Sequence, residues 1–258
     1  MVKEKAKIEF VNVHKSFGTD HILQGIDLRI MPGESLAIVG GSGSGKSVLL
    51  KCFMDLLTPD SGDIYIDGKS ILGLSLRERS YVNADIGMLF QYSALFDSLS
   101  VWHNVCFFEL QRGIITRQQA RNNAITLLEK VGLSAKVVDL LPTELSGGMR
   151  KRVGLARAIA VQPKILCFDE PTSGLDPVMG HLIDDLIIRY LKENNTTSIT
   201  ITHDMVSAGR IADRIAMLHH GKIIWTGPPS EAQQAPIEEV RQFVTGSLQG
   251  PITAELGI

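Results

Sequence analysis

Cysteine is scarce in this chain of 258 residues: Cys52, Cys106 and Cys167 stand far apart and make neither a Cys-x-x-Cys pair nor a metal-ligand spacing. That excludes a disulfide framework and a cysteine-built zinc site, and the thiols read as reduced core residues of a cytoplasmic protein. No run reaches the roughly 18 consecutive apolar residues of a membrane span. The basic start MVKEKAKIEF lacks the apolar stretch of a signal peptide. Any role at a membrane must therefore pass through a partner. Charge of one sign is missing too, with 26 Lys and Arg against 28 Asp and Glu, so overall charge gives no support to a nucleic-acid partner and none is expected. Internal repeats and low-complexity linkers are absent. What remains, 44% hydrophobic and 21% charged residues, suits a globular chain of one or two domains that buries a core.

Hydrophobic periodicity then orders the chain. IEFVNV and ILQGIDLRI alternate as antiparallel strands do, and SLAIVG is a short buried strand running into glycines. GDIYIDG and ADIGMLFQ read as further strands. From Val101 to about residue 160 the spacing turns helical; RQQARNNAITLLEKVGL is the clearest amphipathic stretch, with Gly132 as its C-terminal cap. Buried strands KILCFDE, TSITITHD and RIAMLHH follow, with a helix predicted over residues 177–193. Mixed strands, a helical insert and then alternating α and β predict a mostly parallel sheet with helices on both faces.

The stretch GGSGSGKS, residues 40–47, fits Gly-x-x-x-x-Gly-Lys-Ser, follows a predicted strand and opens a helix, which is the setting a phosphate-binding loop needs. Gly40, Gly41, Ser42, Gly43, Ser44 and Gly45 allow backbone N–H groups to wrap a β-phosphate. Lys46 reaches the β- and γ-oxygens, the Ser47 hydroxyl ligates magnesium, and Val48 continues the helix. The alternative, a flexible Gly-Ser loop, does not account for the strand before it and the helix after it. In ILCFDEP an apolar strand ends in two carboxylates: Asp169 is placed to hold the metal and Glu170 to accept a proton from the attacking water. His203 ends another buried strand, where an imidazole can meet the γ-phosphate, and Gln91 is a candidate for the metal or the water. ELSGGMRKR, residues 144–152, reads as a loop opening a helix, with small residues and exposed N–H groups suited to an anion.

In this order the motifs resemble those of ABC transporter ATP-binding subunits over nearly the whole chain. GGSGSGKS is similar to Walker A, Gln91 to the Q-loop, LSGGM to the signature, ILCFDE to Walker B, SGLD with Asp176 to the D-loop, and His203 to the switch histidine. The resemblance implies a P-loop NTPase (RecA-like) α/β core, an N-terminal antiparallel β subdomain and a helical signature subdomain at about residues 98–160, all within an ATPase domain of residues 1–246. It also implies an ATPase coupled to transport, with ATP and Mg2+ as ligands, Phe17 stacked on the base, and a head-to-tail dimer. In that dimer Ser146, Gly147 and Gly148 of one copy meet the γ-phosphate held by Walker A of the other. Met149 departs from the commoner Gln, yet hydrolysis is still expected because the implied contacts come from the serine hydroxyl and glycine N–H groups.

LSGGM, FQYSALFDSLSVWHNV and VRQFVTGSLQGP together look closest to the ATPase of Mla-type phospholipid transporters. That likeness implies transmembrane permease subunits, an MCE-domain protein and a small STAS-domain protein as partners, at the cytoplasmic face of the inner membrane. A polar-solute importer or a cell-division ABC pair is the alternative. Soluble mechanical ATPases need long coiled coils or fused cassettes, and P-loop kinases or small GTPases have no use for LSGGM. Tyr92, Leu95, Phe96, Leu99 and Trp102 read either as a groove for a permease helix, which the resemblance favours, or as local core. At the C-terminus, Ser230 with Gln233 reads as a capping box before a helix started by Pro236, and Gly250-Pro251 as a break. The extension, residues 247–258, is expected to dock on the second copy.

Overall fold

Alternation of apolar residues along β1 (Ile8–Phe17) and β2 (Asp20–Ile30) turns Ile8, Phe10, Val13, Ile26, Leu28 and Ile30 to one buried face. With β4 (Ser61–Ile66) and β5 (Lys69–Ser70) they form an antiparallel sheet in the order β2-β1-β4-β5, the N-terminal β subdomain the motifs imply. The structure, a computed structural model, describes residues 5–255, except for the side chains of residues 254 and 255. Two units divide it: residues up to 79 together with those from 197 onward, and residues 80–196.

In the first unit a second sheet is built around β3 (Ser35–Val39), every residue of which is buried. β8 (Thr197–Thr202) and β9 (Arg214–His219) run parallel to it on either side, and β10 (Lys222–Gly227) closes the edge antiparallel to β9. Strands buried on both faces read as continuous apolar runs, which is why SLAIV is legible in the sequence. Helices α1 (Lys46–Phe53), α8 (Met205–Ile211), α9 (Glu238–Thr245) and α10 (Pro251–Glu255) complete this unit.

The second unit pairs β6 (Ile86–Leu89) parallel to β7 (Ile165–Asp169). Its helices are α3 (Val101–Val105), α4 (Phe107–Gln111), α5 (Arg117–Lys130), α6 (Gly147–Ala160) and α7 (Pro177–Asn194), and α2 (Leu76–Ala84) enters it. A capping box between Thr116 and Gln119 starts α5, which buries Ala120, Ala124 and Leu128; Gly132, at φ 69°, follows its end as expected.

The C-terminal reading needs correction. Ser230 lies inside a 3-10 turn (Pro229–Gln234) whose N-cap is Pro228, so no capping box forms, and α9 begins at Glu238 rather than at Pro236. Pro251 opens a helix instead of breaking one, because a proline at the first helical position gives up an N–H that would have had no helical partner. Among the described residues no helix is long and apolar enough to cross a membrane.

Candidate functional site

In the first unit β3 runs straight into the phosphate loop. A Cβ at Gly40, whose φ is 156°, would stand 2.2 Å from the Leu218 carbonyl oxygen. At Gly45, φ 109°, it would stand 2.9 Å from that of Ile22. Neither position accepts a side chain, so the loop's path depends on glycine. Lys46 opens α1 and is 8% exposed; its Nζ donates to the carbonyl oxygens of Gly40 at 2.7 Å and Gly41 at 2.9 Å. That ammonium is thus held over the loop. The Ser44 hydroxyl is buried without a hydrogen-bond partner, while Ser42, Gly43 and Ser47 are exposed.

A cavity of about 290 Å³ lies here, lined by Phe17, Ile22 and residues 43–48, Val48 included. Phe17 is 48% exposed, which rules out a core role, and Lys15 Nζ stands 5.5 Å from its ring centroid. An apolar ring at one end and a lysine with an orphaned hydroxyl at the other suit a base and its phosphates. Ser47 adds an oxygen donor for Mg2+, a cation that keeps water and phosphate ligands rather than demanding a protein cage. Val39 pairs with Thr202, so Gly40 and the exposed His203 leave the sheet at the same edge. This is the carboxyl edge of parallel strands, where ligands bind in open α/β sheets.

The same logic orders the second unit. Leu89 pairs with Phe168, so Asp169 and the Phe90-Gln91 segment emerge together beyond β6 and β7. Glu170 adopts φ 46°, and its carbonyl oxygen accepts from Lys151 Nζ at 3.0 Å and from Ser173 N at 3.2 Å. Asp169, Glu170 and Gln91 are half-buried. Ser146 caps α6, its hydroxyl accepting from Met149 N at 3.3 Å, and Gly147 is exposed while Gly148 is buried. Asp176, assigned to nucleotide by resemblance, caps α7 by accepting from Val178 N and Met179 N at 3.0 Å.

Sequence reasoning missed Lys151 and Arg157. Lys151 is 5% exposed on the α6 face that also buries Gly148, Leu155 and Ile159. Burial lowers its ammonium to about 8, against the opposing pull of Asp169 and Glu170. A basic residue in step with an apolar stripe was the available signal. Arg157 donates to the carbonyl oxygens of Ser93 and Ala94, both at 2.6 Å, and so fixes the segment after Gln91. Beside it an apolar cavity of about 430 Å³ is lined by Met88, Phe90, Ala94, Phe96, Phe107 and Phe108, among others. Of the residues expected to form a groove, Phe96 lines this cavity, whereas Leu99 lines a different one.

A family model described as ABC transporter matches residues 23–173, well over half the chain. The chain is 40% identical over 261 residues to the Arabidopsis thaliana protein trigalactosyldiacylglycerol 3, chloroplastic, covering 95% of this chain and 75% of that one. It is 39% identical to the glutamine transport ATP-binding protein GlnQ of Escherichia coli, over 92% of this chain and 98% of the relative. Among solved structures, the ATP-binding cassette MJ0796, a dimer in a post-hydrolysis state bound to ADP and Pi, superposes with a TM-score of 0.79 at 31% identity. That match covers 86% of this chain and 98% of the cassette.

Proposed function

This chain belongs to the ABC transporter family, as its ATP-binding subunit, and we propose that it powers the import of a small polar solute through a membrane permease. It is an ATPase whose turnover is coupled to transport, with ATP and Mg2+ as its ligands. Lys46 and the loop N–H groups hold the phosphates, Phe17 stacks on the base, and Glu170 takes the proton of the attacking water, oriented by Gln91 and His203. Magnesium, when bound, neutralises charge developing on the transferred phosphoryl group, with Ser47 and Asp169 as its protein partners. Two copies work head to tail, Ser146, Gly147 and Gly148 of one meeting the nucleotide of the other. The pair sits at the cytoplasmic face of the membrane through its permease.

One observation carries the polar-solute reading: the near full-length match, on both sides, to a glutamine transport subunit. Phospholipid transport with an MCE-domain protein and a small STAS-domain protein is a second reading. Met149 in place of Gln and the 40% relative named for a galactolipid favour it. Purifying the subunit with its membrane partners in mild detergent separates the two. A solute-binding protein, and turnover stimulated by that protein loaded with an amino acid, are expected for the importer. Co-purifying phospholipid with an MCE-domain protein, and no response to amino acids, would establish the second reading instead.

A further inference from the structure

We propose that Lys151 is a positioning residue for Glu170, holding the peptide of the general base from the helix that carries the signature motif; the proposal rests on the reading of Glu170 as that base. Glu170 sits at φ 46°, a left-handed conformation that residues with side chains avoid unless surrounding contacts impose it. The contacts are visible at its carbonyl oxygen, which accepts from Lys151 Nζ at 3.0 Å and from Ser173 N at 3.2 Å. One donor comes from the turn after Walker B and the other from α6.

Lys151 is an improbable residue for mere filling. It is 5% exposed, between the buried Gly148 and Leu155 of one helical stripe, where an ammonium is costly and a leucine or methionine would pack without that cost. Its charge is spent on a backbone oxygen one bond system away from the catalytic carboxylate. A turn of this peptide would swing the Glu170 side chain, so the hydrogen bond fixes the direction in which the carboxylate points. Ser146 caps the same helix five residues earlier, and Arg157 six residues later holds the Ser93 and Ala94 carbonyls after Gln91. α6 therefore ties the signature turn, the base and the segment following Gln91 to one rigid element.

Because positioning acts on the chemical step, the effect should fall on kcat and spare nucleotide affinity. The test uses the full chain with Lys151→Met and Lys151→Arg, each alone and in the Glu170→Gln background. Steady-state and single-turnover hydrolysis, ATP affinity and thermal melting are measured for all. Lys151→Met is expected to lose about 10- to 100-fold in kcat with KM within about twofold, and Lys151→Arg to recover to within several-fold. In the Glu170→Gln background Lys151→Met should cost less than about twofold more, since the group it aims is already gone. Equal losses in both backgrounds, or wild-type kcat for Lys151→Met beside an inactive Glu170→Gln, overturn the positioning role alone. Normal turnover by Glu170→Gln overturns the reading of the base instead. If Lys151→Met fails to fold, Lys151→Arg decides: a well-folded arginine variant with kcat as low as that of Glu170→Gln overturns the proposal.

Discussion

Burial sets the chemistry of the three thiols. Cys52 is pushed up to about 11 and Cys106 to about 12, chiefly because a thiolate there would be desolvated, and Cys167 is raised by the same cause. The folded protein at pH 7 should therefore resist maleimide over hours, whereas denaturant should expose all three at once. A thiol that labels in the native state would mean an opening at its strand or helix. At Glu170, replacement by Gln should keep ATP binding, lower turnover by roughly 10²–10⁴ and hold the ATP-bound dimer together. Lys46→Ala should weaken binding and stop turnover, and because the same ammonium donates to the Gly40 and Gly41 carbonyl oxygens, the melting temperature of the unliganded protein should fall modestly as well. These candidates stand out in the sequence because phosphate chemistry forces residue types at fixed spacing. Lys151 shows only as a basic residue in step with an apolar stripe, because its partner is a backbone oxygen, which leaves no mark in a sequence.

Elements show a similar division. β3 and β7 were legible as apolar runs ending in glycine or carboxylate, because strands buried on both faces carry few polar residues, whereas β8, TSITIT, was legible by its β-branched residues and the histidine after it. β10 and α8 went unread: β10 is half-exposed with a register shift between Ile223 and Trp225, and α8 has only seven residues, so neither gives a clear period. Asp176 was read for its motif, but it also caps α7. Asp176→Ala should cost about 1 kcal/mol in urea unfolding whatever it does to hydrolysis.

The break expected at Gly250-Pro251 is a helix start for a physical reason. Gln242, 6% exposed on α9, donates to the Ser247 carbonyl at 3.1 Å and to Thr253 Oγ1 at 2.6 Å, and accepts from Ile252 N at 2.8 Å. One buried amide thus folds the tail back and starts α10, which a reading of neighbouring residues cannot anticipate. Ile252 packs on the cluster of Val39, Ile215, Met217 and Val240. Removing residues 247–258 should delete these three hydrogen bonds and the Ile252 packing and lower stability by about 1–3 kcal/mol. Sedimentation of the same truncation with ATP tests the proposed strap: dimerisation as strong as that of the full chain would confine the tail's role to its own unit, residues 256–258 lying outside the described structure.

At the scale of the whole molecule, the proposed completion of the site by a second copy makes a prediction that no single variant can make. Ser146 caps α6 in this structure, its oxygen accepting from Met149 N, and Gly147 beside it is exposed, so the turn is formed and presentable before any partner arrives. An anion brought to it meets the positive end of a 14-residue helix. Ser146→Arg fills that turn with bulk and like charge and should abolish hydrolysis. Met149→Gln, changing a half-buried side chain outside the proposed phosphate contacts, should leave hydrolysis within a few-fold of the parent. Neither Ser146→Arg nor Lys46→Ala should turn over alone. Mixed in equal amounts, they form pairs in which one site carries both lesions and the other carries neither. If sites fire independently, random pairing restores at most about a quarter of wild-type turnover. Turnover that rises with the second variant and then falls as it is added in excess is the signature of a shared site. No recovery at any ratio, with mixed pairs demonstrated by a tag on one variant, would mean either that both sites must fire together or that each copy hydrolyses alone. A covalently linked pair carrying both lesions in one half distinguishes these: sites shared across the pair would leave it inactive, whereas self-contained sites would leave its unmodified half turning over.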